Sequence, residues 1–170
     1  MTVPGAACLQ TRQLLQVRNG GLRIRDRRGY PDRPGGVPYF NLTGSLNGIV
    51  YGDLEGGGVS DAAVPLMCDN NGGSADGQLL FSIAIFSGKG GDRHLIGLIT
   101  PRVQPKADHV TIIGTFDNAV MVAPHRLLIR EVFYGTHDPT CCPSGRATTT
   151  WTYQFGRLTP AASQVTHPAR

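Results

Sequence analysis

The sequence predicts a mainly β domain: one antiparallel sheet, largely a meander, with a short helix packed at its N-terminal end. Three observations carry this. Gly 23 and Pro 12 make up about a fifth of the 170 residues, far above the usual ~12%, so turns are frequent. From Ile49 onward, apolar or alternating runs of strand length recur between clusters of Gly, Pro, Asn and Asp. Charged residues are only 16% against 40% hydrophobic, below the ~25% charge of an average globular chain. The length suits a single core.

The elements follow in order. Residues 1–18 hold the helix: Thr11 is a possible N-cap, Leu14, Leu15 and Val17 supply an apolar stripe, and Gly20-Gly21 stops it. Leu22–Arg25 reads as an edge strand before the breakers Pro31, Pro34-Gly35-Gly36 and Pro38. Ile49-Val50-Tyr51 runs into a turn at Asp53–Gly58, and Ala62–Cys68 follows. Leu79–Phe86 is apolar at both parities and is therefore expected at the centre of the sheet. Its return strand, His94–Thr100, comes after the Gly-rich loop Ser87–Asp92. His109–Thr115 and Val120–Val122 suggest a hairpin around Asp117-Asn118. Arg126–Tyr134 and Ala147–Gln154 alternate, the latter rich in Thr and aromatics. A short strand at Leu158 ends the domain at about residue 160, leaving 161–170 as a tail. The expected core is Val50, Val64, Leu66, Leu80, Ile83, Ile85, Ile96, Leu98, Ile112, Leu128, Val132 and Trp151.

The formal net charge is +4. Much of the excess sits in Arg12, Arg18, Arg23, Arg25, Arg27, Arg28 and Arg33. No aromatic residue interleaves before Tyr30 and no nucleic-acid module is legible, so a solvated basic face is expected and a nucleic-acid partner is not. No run approaches the ~20 apolar residues of a membrane helix. The first residues, Met-Thr-Val-Pro-Gly-Ala-Ala-Cys, show no basic and apolar leader pattern.

Four motifs bear on chemistry. Asp53-Leu54-Glu55-Gly56-Gly57-Gly58-Val59-Ser60-Asp61 has the outline of a calcium loop, with Asp53, Glu55 and Asp61 at ligand-like positions. A Gly stands at its fifth position and Val64 at its twelfth, where a bidentate Glu belongs, so a Gly-rich β-turn is the preferred reading. Cys141-Cys142 beside His137 could begin a zinc site, but adjacent cysteines fit zinc spacing poorly. Four cysteines, Cys8, Cys68, Cys141 and Cys142, suit two disulfides in an oxidising compartment. One of the adjacent pair is expected to bond Cys68, closing a loop of roughly 70 residues that contributes ~4 kcal/mol. The other is expected to reach Cys8 and pin the helix. His137-Asp138 is the one adjacent catalytic-type pair, without a legible nucleophile. Gly88-Lys89-Gly90-Gly91 lacks the ending of a phosphate loop and reads as a hairpin loop; Asn41-Leu42-Thr43 matches a glycosylation acceptor.

The strings Tyr51–Cys68, Asp138–Tyr153 and Gly156-Arg157-Leu158 resemble the LppP/LprE family of actinobacterial, chiefly mycobacterial, exported lipoproteins, over about residues 37–160. The resemblance implies an envelope location and carries no catalytic residues across. Members of that family have a signal peptide and a lipid-attachment cysteine. Here Cys8 follows Gly5-Ala6-Ala7, which partly mimics a lipobox, without an apolar segment before it, so no lipidation is assigned. Membrane association would need an anchor outside this sequence. The expected function is a non-catalytic envelope module, binding or structural, for an unspecified ligand or protein. The alternative is a hydrolase built on His137, Asp138 and a distant hydroxyl.

Overall fold

The computed structural model describes residues 2–4, 14–16, 21–25, 39–44, 49–69, 80–91, 94–99, 111–113, 119–133, 137–139 and 144–167. Among these every regular element is a strand. Thr2–Pro4 (β1) pairs antiparallel with Leu14–Gln16 (β2) in a two-stranded ribbon. Leu14 and Leu15, expected on a helix, are thus on a strand; Thr11, Val17 and Gly20, the other residues that argued for the helix before Gly21, lie outside the described residues.

The remaining strands form two antiparallel sheets instead of the expected single one. The first contains Gly21–Arg25 (β3), Tyr39–Gly44 (β4), Val50–Gly52 (β5), Asp61–Asp69 (β6), Leu80–Phe86 (β7) and Leu95–Ile99 (β8). Its order is β3-β4-β6-β7-β8, and β5 lies beside β4 along one edge of β6. The second contains Thr111–Ile113 (β9), Ala119–Ala123 (β10), Arg126–Phe133 (β11), Gly145–Gln154 (β12) and Arg157–His167 (β13). Its order is β10-β11-β12-β13, with β9 sharing the β10 edge of β11. Each sheet is largely a meander, as the short connections require.

Two sheets form because both present an apolar face. Ala63, Ile83, Ile85 and Ile99 of the first sheet pack with Leu127, Ile129, Trp151 and Tyr153 of the second, and Leu54 joins them from the loop after β5. One core therefore lies between the layers. β12 shows the geometry best: Ala147, Thr149, Trp151 and Tyr153 are buried, while the residues between them are partly or fully exposed. β7 has the central place its composition predicts, and it is buried at both parities: Ile83 and Ile85 on the core face, Ser82, Ala84 and Phe86 on the other.

Three expectations are corrected. The hairpin around Asp117-Asn118 does not form: β9 and β10 pair with β11, not with each other, and the tight turn is Pro124-His125. On β11 the core positions are Leu127 and Ile129, while Leu128 and Val132 are only partly buried. The last strand does not stop near Leu158 but continues to His167, through residues read as tail.

Candidate functional site

The richest polar cluster among the described residues is built by loops at one end of the two sheets. β5 leads into Asp53–Ser60, β7 into Ser87–Gly91, and the turns Pro124-His125 and Phe155-Gly156 close the hairpins β10–β11 and β12–β13.

Asp61 opens β6 and is fully buried. Its Oδ2 accepts the Glu55 amide at 2.8 Å and its Oδ1 the Gly88 amide at 3.0 Å, so one carboxylate ties two loops together. Asp53 Oδ2 accepts from the Gly57 and Gly58 amides at 2.9 and 2.8 Å. These two bonds, Gly58 first, hold the Asp53 carboxyl below the usual carboxylate range. Its Oδ1 is shielded from solvent and has no hydrogen-bond partner. Gly56, Gly57 and Gly58 all have positive φ, which the chain needs in order to fold their amides over a side chain of the same loop.

Glu55 links the layers. Ser87, at the end of β7, donates its hydroxyl to Glu55 Oε2, and Tyr153 on β12 donates to Oε1 at 3.4 Å. Burial, reinforced by the Glu55 charge and hydrogen bond, raises the Tyr153 phenol above its ordinary value. Ser87 Oγ accepts the Lys89 amide, and the Lys89 ammonium reaches the Gly56 carbonyl at 3.3 Å. The His125 amide donates to the Leu54 carbonyl, and the His125 carbonyl accepts the Tyr153 amide. Its imidazole lies directly on Gly56: a Cβ there would stand 2.6 Å from Cε1.

Chemically this is a braced platform. Ser87 is fully buried with its proton committed to Glu55, so it is not presented as a nucleophile. In the calcium-like loop Asp61 and Asp53 together accept four backbone amides, and Asp53 Oδ1 is the acceptor left over. No group of three or more His, Cys, Asp or Glu residues that could hold a metal occurs among the described residues.

The His137-Asp138 pair lies elsewhere, before β12. Asp138 Oδ2 accepts both the amide and the hydroxyl of Ser144, at 2.7 and 3.0 Å. A hydrolytic triad places an imidazole between hydroxyl and carboxylate; here the serine binds the carboxylate directly and His137 is exposed. Cys68 is on β6, opposite Leu80. Cys8, Cys141 and Cys142 lie outside the described residues, as do Arg12, Arg18, Arg27, Arg28 and Arg33.

Sequence reading singled out Asp53, Glu55 and Asp61, and the fold brings all three into one loop system. It missed Ser87, His125 and Tyr153, which reach that system from three other strand ends. The only local signal was Pro124-His125, a Pro followed by a residue that must take positive φ (68°). No protein-family profile matches the chain, and no curated protein or solved structure matches it.

Proposed function

We propose that this chain is a non-catalytic module of the cell envelope that binds a ligand or protein through its braced loop end. One observation carries the reading: each of the carboxylates and the serine that could have done chemistry is engaged in holding loops. Asp61, Asp53, Glu55, Ser87 and Asp138 each hydrogen-bond to backbone amides or to one another. A rigid sheet pair carrying fixed loops is how recognition surfaces are usually presented.

The envelope setting rests on the even cysteine count and on the resemblance to exported lipoproteins. Topology supports a link from Cys68 to Cys141 or Cys142. β6 runs away from the loop end and finishes at Asp69, and β12 runs toward it from Gly145. The start of β12 and the end of β6 therefore both lie at the end of the sheets opposite the loops. Thiol counting on unreduced, unfolded protein should find no free thiols; four would refute the oxidised state.

The non-catalytic reading is tested by a broad ester, peptide and glycoside screen of the purified chain. No turnover above background is expected. Robust turnover abolished by His137→Ala would establish the hydrolase instead.

A further inference from the structure

The outer face of the second sheet carries a signal that the loop end does not. The buried parity of β12 is Ala147, Thr149, Trp151 and Tyr153, so the opposite parity faces away from the core. On β12 that parity reads Arg146, Thr148, Thr150, Thr152, Gln154. The register places Arg126 opposite Thr152 and Arg130 opposite Thr148 on one side, and Arg157 opposite Gln154 on the other. All four arginines are exposed. The Thr152 and Thr159 hydroxyls lie 3.4 Å apart on this face, confirming that the parity holds across to β13.

The charges are ordered along the strands. Taking ~3.4 Å per residue, Arg157, Arg126, Arg130 and Arg146 lie at successive levels of β12 spanning about 27 Å, across only three strands about 5 Å apart. Thr152 and Thr148 lie beside Arg126 and Arg130 at the same levels, and Thr150, opposite Leu128, occupies the level between them. Glu131 is the only acidic residue in these three strands. Among the described residues the result is a band of like charge across three strands, with threonine hydroxyl groups beside the charges.

We propose that this arginine track binds an extended acidic polysaccharide, its carboxylate or sulfate groups on the guanidinium groups and its hydroxyls on the threonines. Guanidinium forks match planar and tetrahedral oxyanions, and the four arginines succeed one another along the strand direction within a band three strands wide, as contacts to a linear polymer would. A single-stranded nucleic acid would ask for stacking platforms; the aromatic residues of β12, Trp151 and Tyr153, are buried. A bilayer would ask for a continuous apolar surface among the charges; on this parity Leu128 and Val132 are only partly buried and stand among threonines and arginines, so the vesicles are kept as a competing arm of the test.

The test is titration calorimetry of the whole chain with heparin, polygalacturonate, neutral dextran, an oligothymidylate and vesicles containing phosphatidylglycerol. Heparin and polygalacturonate are expected to bind and dextran not to. Binding should weaken steeply as salt rises from ~50 to ~200 mM, as polyion contacts do. The variants R126Q/R130Q and R146Q/R157Q should each lose roughly tenfold in affinity while keeping the unmodified melting temperature. The proposal is overturned by failure of both acidic glycans to bind, by a flat salt profile, by undiminished binding in both double variants, or by tighter binding of the oligonucleotide or the vesicles. The salt profile needs no variant, so a misfolded mutant cannot mask the result. Failure here would leave the non-catalytic reading intact, because turnover alone decides that.

Discussion

β7 and β12 are both central strands of antiparallel sheets, yet they are buried differently. β7 is enclosed at both parities, with Ser82, Ile83, Ala84, Ile85 and Phe86 all buried. β12 is enclosed at one parity and leaves Arg146 and the threonines at the other. The sequences already differ in kind: Leu-Phe-Ser-Ile-Ala-Ile-Phe is nearly continuous in apolar character, whereas Arg-Ala-Thr-Thr-Thr-Trp-Thr-Tyr-Gln alternates in size and polarity. A strand with one free face can carry recognition chemistry at little cost to stability; a strand with none cannot. This is why the arginine track lies on the second sheet.

The contrast breaks most visibly under truncation. Ile85→Ala should destabilise by about 2–5 kcal/mol, through lost burial plus the cavity left between the layers. Thr150→Ala, on the free parity of β12, should stay within ~0.5 kcal/mol. Urea unfolding of both variants checks this; equal losses would mean that the outer face of β12 is covered. The loop end comes next. Asp61→Ala leaves the Glu55 and Gly88 amides without their acceptor and should cost about 1–3 kcal/mol. Calcium should not raise the melting temperature of the parent protein, and a calcium-dependent rise lost in this variant would restore the ion-binding outline.

Acid sharpens the same point. The folded-state pKa of Asp53 is depressed by the Gly58 and Gly57 amides. Its contribution is therefore fully present above the unfolded carboxyl value near ~3.9 and is lost as pH falls through the lower folded value. Asp53→Asn should flatten the stability–pH curve below that unfolded value and leave it unchanged at neutral pH apart from a constant offset. A curve identical to the parent's would show that the carboxylate does not hold the glycine loop.

Much of the strand pattern is legible in sequence because period two and turn chemistry are local properties. β7, the alternation of residues 147–154, the edge strand at Leu22–Arg25 and the turn at Asp53–Gly58 were all readable in this way. Parity on β11 was not. Leu127, Leu128 and Ile129 are all apolar, so alternation gives no vote, and a choice that is off by one residue exchanges core for surface. The false hairpin at Asp117-Asn118 failed for a related reason. Its two runs are β-prone, but both pair with β11, and nothing within either run encodes that partner. The site suffers most. Glu55 meets Ser87 and Tyr153 across the two layers, and the arginine track is dispersed over residues 126–157, while the dense arginines near the N-terminus drew attention instead. Contacts made by topology leave no spacing signature in one chain.

The smallest expected effect is a gain. Phe155 and Gly156 form the two-residue turn between β12 and β13, closed by the pair Gln154 and Arg157, and both have positive φ, 51° and 73°. That is the backbone of a type I′ turn, which favours Asn-Gly. A bulky aromatic residue pays there in steric strain, and Phe155 recovers nothing by burial because it is fully exposed. Phe155→Asn should therefore stabilise the fold by about 0.5–1 kcal/mol, the range seen when a residue is matched to its backbone conformation. For a domain of this size that is a rise of a few degrees in melting temperature. Because the side chain lies beyond the arginine track, glycan binding should survive the change. A melting temperature that falls would mean that the ring is held by something on this surface, and the tip would then belong to the binding face and not to the turn alone.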